Sequence, residues 1–363
     1  RNVPEWIKHV GRDTDGLGFA DTVFPAFLFI VGLSIPFAIN NRLEKSGSRF
    51  QVLRYITGRA LALLVMGFIH VNLEHYSQSA LVPKAIWEIL VTVSFFLIWM
   101  DYPNHINRSK KYILQFTGVA MLVVLCFLFR GESDKHYVGM QPYWWGILGL
   151  IGWSYLVCAL IFILFKGRLT AIIISLIFFF LFDLSVHAGW IKGADSIRDY
   201  VWIVGNGSMP AFTMAGIFIV TLYNRFLSKN KMTYYPILLL FGGLFILVGF
   251  LVRPFGGISK IHDTPSWVGI CTGISTIMFV LFIWLIDNKQ KQAWFKFIMP
   301  AGTSTLTCYL IPYILYPIYE LVNFHYPSFM NQGVGGLIRS FLIAFIVIRL
   351  AGLLEKVHIK IKI

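Results

Sequence analysis

Charged residues are scarce in this chain. Only 13% of its 363 residues are charged, against 57% that are apolar and 17% that are aromatic. A soluble domain carries about twice that charged fraction. Acids are the rarer sign, with 17 Asp and Glu against 31 Lys and Arg. This composition excludes an ordinary soluble domain and is typical of a protein whose surface faces lipid.

The sequence also lacks the common signatures of metal and hydrolase chemistry. It has no metal-spaced cluster of His, Cys, Asp and Glu, no Gly-rich phosphate loop and no nucleophile elbow. The four cysteines lie in apolar stretches, where we expect small buried side chains. No linker or low-complexity tract divides the chain. We therefore predict a single integral-membrane domain over residues 1–363, without a metal centre.

What the chain does contain is a series of long apolar stretches. About 20 mostly apolar residues are needed to cross about 30 Å of hydrocarbon. Helices are the expected element, because barrel strands give shorter, alternating segments. We predict an all-α polytopic membrane protein with about eleven visible transmembrane helices. The predicted spans are 21–39, 53–73, 84–100, 112–129, 143–165, 169–187, 209–227, 233–252, 266–286, 296–318 and 334–354.

Basic residues fall on alternate connections between these spans. Eighteen of the 31 lie on one side, at 42–54, 108–111, 166–168, 225–231, 289–296 and 356–362. The positive-inside rule places that side in the cytoplasm and Arg1 outside, which predicts a twelfth helix before Arg1. Basic loops facing anionic headgroups account for the net charge of +14, so no nucleic-acid partner is expected.

The predicted outer side carries the most suggestive polar residues. His9 precedes the first span and Asp21 begins it. A His is a natural general base, and a carboxylate on its other nitrogen would fix its tautomer. Asp21 could equally cap the helix, and the two roles are compatible; His9 could be a solvated loop histidine. His70 and His187 lie near the outer ends of the second and sixth spans.

Further binding candidates lie on both sides of the predicted membrane. Asn206 and Ser208 belong to a Gly-rich turn before the seventh span, and Lys260 and Trp267 flank the start of the ninth. Lys260 could hold an acidic substrate or be solvated. Arg59 lies about one turn inside the second span, close to Arg54. It is either an interfacial anchor or a phosphate ligand.

Two segments, WIKH at 6–9 and GFADTVFPAFLFIVGLSI at 18–35, resemble one family. It comprises the transmembrane acyltransferases of the heparan-α-glucosaminide N-acetyltransferase type and their bacterial relatives. Segments 205–208, 258–267 and 300–304 resemble it more loosely. Thr22 and Ala26 depart from its usual Leu and aromatic residue.

The resemblance implies an acetyltransferase of the bacterial inner membrane. Acetyl-CoA would donate from the cytoplasmic side to an amino or hydroxyl group of an extracytoplasmic sugar. His9 and Asp21 would be catalytic, and Arg59 and Arg54 would bind the CoA phosphates. Asn206, Ser208, Lys260 and Trp267 would bind the acceptor. The expected partners are a sugar or glycan, membrane lipid and, as one option, a second copy of the chain.

Two alternatives remain at this point. The first is a transporter or flippase for a sugar or a lipid-linked glycan intermediate, which inverted repeats and broken helices would favour. The prolines within the spans are too scattered to decide this. The second is a non-catalytic sensor on an acyltransferase scaffold. Binding of acetyl-CoA distinguishes an acyltransferase from a transporter, and turnover distinguishes it from a sensor.

Overall fold

The structure, a computed structural model, confirms an all-α membrane protein. It describes residues 3–103, 105–133, 136–191, 205–227 and 234–363. The charged residues at 1, 134–135, 192–199 and 229–231, which contributed to the topology prediction, lie outside the described residues. A two-stranded hairpin, Gly131–Ser133 with His136–Val138, is the β-sheet in the described part of the chain.

Each of the eleven predicted spans is occupied by helix. The helices are α1 (Phe19–Ser46), α2 (Arg49–Val71), α3 (Lys84–Trp99), α4 (Arg108–Leu128), α5 (Gly146–Leu164), α6 (Leu169–His187), α7 (Ser208–Leu227), α8 (Tyr234–Leu251), α9 (Pro265–Ile283), α10 (Met299–Thr303), α11 (Thr305–Leu310), α12 (Pro312–Leu321) and α13 (Gly333–Lys356).

Within the described residues, eight helices are long and apolar enough to cross a membrane. They are α1, α2, α4, α5, α6, α8, α9 and α13, with α2 and α9 extended by short turns. The span predicted at 84–100 is a helix of 16 residues, about 24 Å long. The span predicted at 296–318 is broken into α10, α11 and α12. Ser304 leaves helical geometry there, and Pro312 has no amide to continue the ladder.

The contacts divide the chain into two compact units. The first comprises residues 4–67 and 143–290, and contains α1, most of α2 and α5 to α9. Its central helix is α7, which packs on α1 and α6. A Cβ on Gly32 would lie 2.0 Å from the Thr213 carbonyl oxygen, and one on Gly216 would lie 2.1 Å from that of Phe29. Glycine at both positions therefore lets α1 and α7 meet backbone to backbone.

The second unit comprises chiefly residues 68–142 and 291–363. Here α3 packs on α4 and α12, while α13 packs on α10 and on a short turn at Ser328–Asn331. The indole of Trp87 is buried and donates to the Leu125 carbonyl at 2.9 Å. His70, one of the polar candidates, is buried in this unit, with its ring stacked on Tyr313 at 4.0 Å.

Candidate active site

His9 and Asp21 form a direct pair where the N-terminal segment meets α1. His9 Nδ1 lies 2.6 Å from Asp21 Oδ1. The other carboxylate oxygen accepts from the backbone amides of Val10 at 3.0 Å and Gly18 at 3.1 Å. Gly18 is the N-cap and Asp21 the third helical residue, so the carboxylate ties down the helix start as well as the imidazole. Asp21 therefore pairs with His9 and also caps the helix start, although it does so from the third helical position and not as the N-cap residue considered from the sequence.

This geometry fixes which imidazole nitrogen is free. An ionised carboxylate only accepts hydrogen bonds, so Nδ1 donates and the neutral ring keeps its lone pair on Nε2. The Asp21 side chain is 3% exposed, whereas that of His9 is 58% exposed. The carboxylate is thus shielded behind the ring while the ring remains accessible. A positioned, open nitrogen is what a general base or a nucleophile requires.

Lys260 brings a positive charge to the same place. Its Nζ lies 3.4 Å from His9 Nδ1. Because Nδ1 already donates to Asp21, it has no lone pair left for Lys260, and the contact is one of charge with the carboxylate–imidazole pair. Burial lowers the pKa of Lys260 below its ordinary value, against the opposing charges of Asp21 and Asp263. Lys260 therefore lies where an anionic group approaching His9 would meet it.

Lys260 is held in place by the loop between α8 and α9, residues 252–264, which we call the 252–264 loop. Asp15 anchors it, because one carboxylate oxygen accepts from the Ile258 amide at 2.7 Å and the other from Arg253 Nε at 2.9 Å. The Gly16 amide returns a hydrogen bond to the Ile258 carbonyl at 3.0 Å. The segment that carries His9 and the loop that carries Lys260 are therefore bound to each other.

Trp267 lies behind this site and faces away from its opening. Its side chain is fully buried and packs edge-on against Phe212, with ring centroids 5.0 Å apart. Its indole Nε1 donates to the backbone carbonyl of Asp21 at 3.1 Å. The structure thus places this candidate for acceptor binding as a support for the first turn of α1.

Asn206 and Ser208 are also buried, and they connect α7 to the 252–264 loop. The Ser208 hydroxyl donates to Asn206 Oδ1 at 2.6 Å, and Asn206 Nδ2 donates to the Asp263 carbonyl at 3.3 Å. Gly207 between them has φ +99°, and a Cβ there would lie 2.4 Å from the Phe179 carbonyl oxygen of α6. Only glycine allows this turn to lie so close to α6. These candidates therefore shape the loop that presents Lys260.

A second acid–histidine pair lies beside this turn. His187 Nδ1 is 3.2 Å from Asp183 Oδ1 and 2.9 Å from the Asp183 carbonyl, while Nε2 is 2.8 Å from the His262 carbonyl of the 252–264 loop. Both ring nitrogens face oxygen acceptors, so both donate, and the ring is an imidazolium with fully buried Asp183 as its counter-ion. His187 is among the polar residues predicted from the sequence and Asp183 is not, although an acid within an apolar span four residues before a His is a readable signal.

The two arginines expected to bind phosphate have different surroundings. Arg59 donates to the Tyr55 hydroxyl at 3.0 Å and lies over the Tyr155 ring, 5.2 Å from its centroid. Arg42 stacks on the other ring of this group, 3.4 Å from the centroid of Tyr55. Arg54 is exposed on α2. Arg59 is therefore part of a cluster of arginine and tyrosine side chains.

A basic cavity lies at the other ends of α1 and α7. It has a volume of about 350 Å³ and is lined by residues that include Asn40, Phe162, Lys166 and Arg225. Asn40 is 19 residues beyond Asp21 on α1, which corresponds to about 28 Å of helix and so to roughly the thickness of the hydrocarbon layer. From the sequence, Lys166 and Arg225 are charges on two separate connections, and only the fold brings them to one cavity.

Comparison with known proteins shows one partial similarity and one family. Heparan-alpha-glucosaminide N-acetyltransferase of Homo sapiens is 41% identical over 67 residues, which make up 18% of this chain and 10% of the human protein. Residues 1–188 match the family described as a domain of unknown function, DUF5009. Because this match covers more than half of the 363 residues, the chain belongs to the DUF5009 family.

Proposed function

We propose that this protein is a membrane acetyltransferase that moves an acetyl group from cytoplasmic acetyl-CoA to an amino or hydroxyl group of an extracytoplasmic sugar. The observation that carries the proposal is the His9–Asp21 pair, with an accessible Nε2 and Lys260 beside it. The partial identity to a human N-acetyltransferase supports the same class of reaction.

The chemistry at His9 follows from the fixed tautomer. Nε2 removes the proton from the acceptor amine or hydroxyl as that atom attacks the thioester carbonyl, and Asp21 holds the resulting imidazolium. The C–S bond then breaks, a C–N or C–O bond is left, and the proton passes to the sulfur of CoA. Direct attack of Nε2 on the acetyl carbonyl would instead break the C–S bond, expel the CoA thiolate and give an acetyl-imidazole. The acceptor would then attack this acetyl group, form the C–N or C–O bond, release Nε2 and pass its proton to the CoA thiolate.

Lys260 and the loop that holds it would bind the acceptor. A cation next to His9 attracts the carboxylate or phosphate of an acidic sugar, and it stabilises negative charge on the carbonyl oxygen during attack. Asn206, Ser208 and His187 act on this step by positioning the loop, since each binds its backbone directly or through a neighbour.

The basic cavity of Lys166 and Arg225 would bind the donor. Its cations match the phosphates of CoA, its asparagine amides match polar edges of the nucleotide, and Phe162 offers a ring for the adenine. The residues present therefore fit a nucleotide phosphate. The cavity lies at the α1 end remote from His9, in keeping with a donor that enters from the side opposite to the acceptor.

The catalytic role is tested by transfer of labelled acetyl from acetyl-CoA to a panel of amino sugars and neutral sugars, with the full-length protein in lipid nanodiscs. We expect His9→Ala to lower transfer by at least about 100-fold, as removal of a general base does. His105→Ala, which alters an exposed loop histidine, is the matched control and should retain full transfer. Undiminished transfer by His9→Ala would refute the proposal.

The donor site is tested separately, by calorimetric binding of acetyl-CoA. The double variant Lys166→Gln, Arg225→Gln should weaken binding by about tenfold or more, whereas Lys289→Gln should not. Arg59→Gln and Arg54→Gln test the donor site expected from the sequence. A protein that binds no acetyl-CoA at all would instead be explained by the transporter alternative.

A further inference from the structure

A groove in the second unit lies between α12 and α13. It has a volume of about 640 Å³, and the loop that joins the two helices lines one end of it. The helices leave this space because α12 packs mainly on α3, whereas α13 packs on α10 and on the turn at Ser328–Asn331. None of its lining residues belongs to the site around His9.

The end of the groove next to the loop is polar and cationic. Arg339 donates from Nη1 to the side-chain oxygen of Asn331, and its guanidinium lies over the ring of Tyr326, 5.1 Å from the centroid. Its Nε is buried and has no hydrogen-bond partner among the described residues. Leaving a charged donor buried and unpaired is costly, so this nitrogen indicates an acceptor that the chain itself does not supply.

The neighbouring side chains favour an anion as that acceptor. Arg339 is the charged residue among those that line the groove, so no lining carboxylate competes for it. Burial raises the pKa of Tyr326 to about 12, so its hydroxyl is a hydrogen-bond donor at neutral pH, as any phenol is. Tyr319 lines the same end. A planar guanidinium with nearby phenol groups matches the oxygens of a phosphate.

The other end of the groove is apolar. Ile343, Val347 and Ile348 follow Arg339 on one face of α13, and Pro312 lines the opposite wall. From Arg339 to Ile348 the helix rises about 13 Å, all of it within a helix apolar enough to span a membrane. A soluble anion would use one end of such a groove, whereas an amphiphile uses both.

We propose that this groove binds an anionic phospholipid, with its phosphate on Arg339 and one acyl chain along Ile343 and Val347. The cation and its unpaired donor select the headgroup, while the apolar wall selects the chain. The inference rests on the α12–α13 groove alone and is independent of the acetyltransferase proposal.

The test is native mass spectrometry of the delipidated full-length protein, with phosphatidylglycerol or phosphatidylcholine added back in detergent. We expect phosphatidylglycerol to bind about tenfold more tightly than phosphatidylcholine, and Arg339→Gln to abolish that preference. Arg349→Gln removes the same charge from the same helix outside the groove and should keep the preference. Ala344→Phe fills the groove, leaves Arg339 intact and should exclude both lipids.

Three outcomes would overturn the proposal. One is unchanged phosphatidylglycerol binding in both Arg339→Gln and Ala344→Phe. Another is full competition by soluble glycerol phosphate, which would assign the groove to a soluble ligand. The third is loss of the preference in Arg349→Gln as well, which would mean a general effect of charge. Thermal unfolding of each variant shows whether it is folded. If Arg339→Gln does not fold, Ala344→Phe alone decides: unchanged phosphatidylglycerol binding in that variant overturns the proposal, and loss of the binding supports it.

Discussion

At the scale of single residues, the site depends on which atom holds each proton. Asp21 uses one oxygen for His9 and the other for two backbone amides, and this division leaves Nε2 of His9 as the open nitrogen. His187 is different, because both its nitrogens donate to oxygens and neither is open. Two acid–histidine pairs in one unit are therefore suited to different tasks, one to chemistry and one to holding a loop.

Asp21→Asn should lower acetyl transfer by about 100-fold or more with little change in fold. The amides of Val10 and Gly18 require an oxygen, which turns the NH₂ group of the substituted side chain toward His9. Nδ1 must then accept, so the proton moves to Nε2 and the base is lost. Nitrogen chemical shifts of the ring measure the tautomer directly. An Asp21→Asn variant that keeps both its rate and the Nδ1–H tautomer would contradict this reasoning.

Asp183→Asn should destabilise the protein by about 3 kcal/mol, because it leaves the His187 imidazolium buried without its counter-ion. Replacing both residues, as in Asp183→Leu with His187→Leu, removes both charges. The double variant should lose less free energy of unfolding than Asp183→Leu and His187→Leu lose in sum. Denaturant titration of the folded protein in detergent measures each free energy of unfolding. Strictly additive losses would show that the two residues are not coupled.

At the scale of elements, the site is assembled by the 252–264 loop. This loop donates a hydrogen bond to Asp15 and accepts hydrogen bonds from Asn206 and His187, while its own Lys260 lies beside His9. Asp15, Asn206 and His187 belong to three different segments of the chain. The loop therefore supports the whole site. Its position depends on separate contacts, and each of them can be removed by a single substitution.

Gly207→Ala tests the contact of this support with α6. A Cβ at Gly207 would lie 2.4 Å from the Phe179 carbonyl oxygen, and the residue has φ +99°. We expect a loss of about 1–3 kcal/mol in the free energy of unfolding. Gly243→Ala on α8 is the matched control, because a Cβ there meets no atom within 4 Å. Equal stability of the two variants would argue against close packing at the turn.

The anchor at Asp15 should make the 252–264 loop sensitive to acid. The Ile258 amide, with help from the Arg253 guanidinium, holds the pKa of Asp15 below its ordinary value of 3.8, against the opposing effect of burial. The stabilisation is therefore present above that value and is lost as pH falls through the lower folded-state pKa.

Hydrogen exchange of the loop, corrected for the intrinsic rate, measures this effect. Protection at Ile258 should be constant from about pH 7 to pH 5 and should fall below about pH 4. Asp15→Asn should show reduced protection throughout that range. A loop whose protection is the same in both proteins at every pH would mean that Asp15 is not its anchor.

At the scale of the whole molecule, the two groups of candidate binding residues lie beside opposite halves of α1. His9 and Lys260 gather at the N-terminal end of α1, and Lys166 and Arg225 gather around its C-terminal half, about one membrane thickness away. An enzyme that takes donor and acceptor from opposite compartments needs such a separation. It also needs the orientation predicted from the basic connections.

Cysteine labelling tests that orientation. In a background without the four native cysteines, Asp13→Cys should react with a membrane-impermeant maleimide in intact cells. Lys289→Cys should react only after permeabilisation. The reversed pattern would place His9 in the cytoplasm and would require the acceptor to be cytoplasmic too.

The sequence by itself determined the fold class, the His9 motif and the helix positions apart from the break within 296–318. Long apolar runs can form only helices in lipid, since each backbone polar group must be satisfied locally, and this makes the spans readable without the fold. The pairing of His9 with Asp21 was readable as well, because the two residues are near in sequence and a carboxylate is a natural partner for an imidazole.

Only the tertiary structure decided what lies around that pair. Lys260 reaches His9 from 251 residues away, Asp183 binds a histidine that binds another loop, and Lys166 meets Arg225 at one cavity. These contacts depend on which helices pack together, and packing in lipid is set by shape and close glycine contacts more than by apolar pattern. The burial of Trp267 depends on packing in the same way, because its position in the sequence did not predict that its side chain lies in the core.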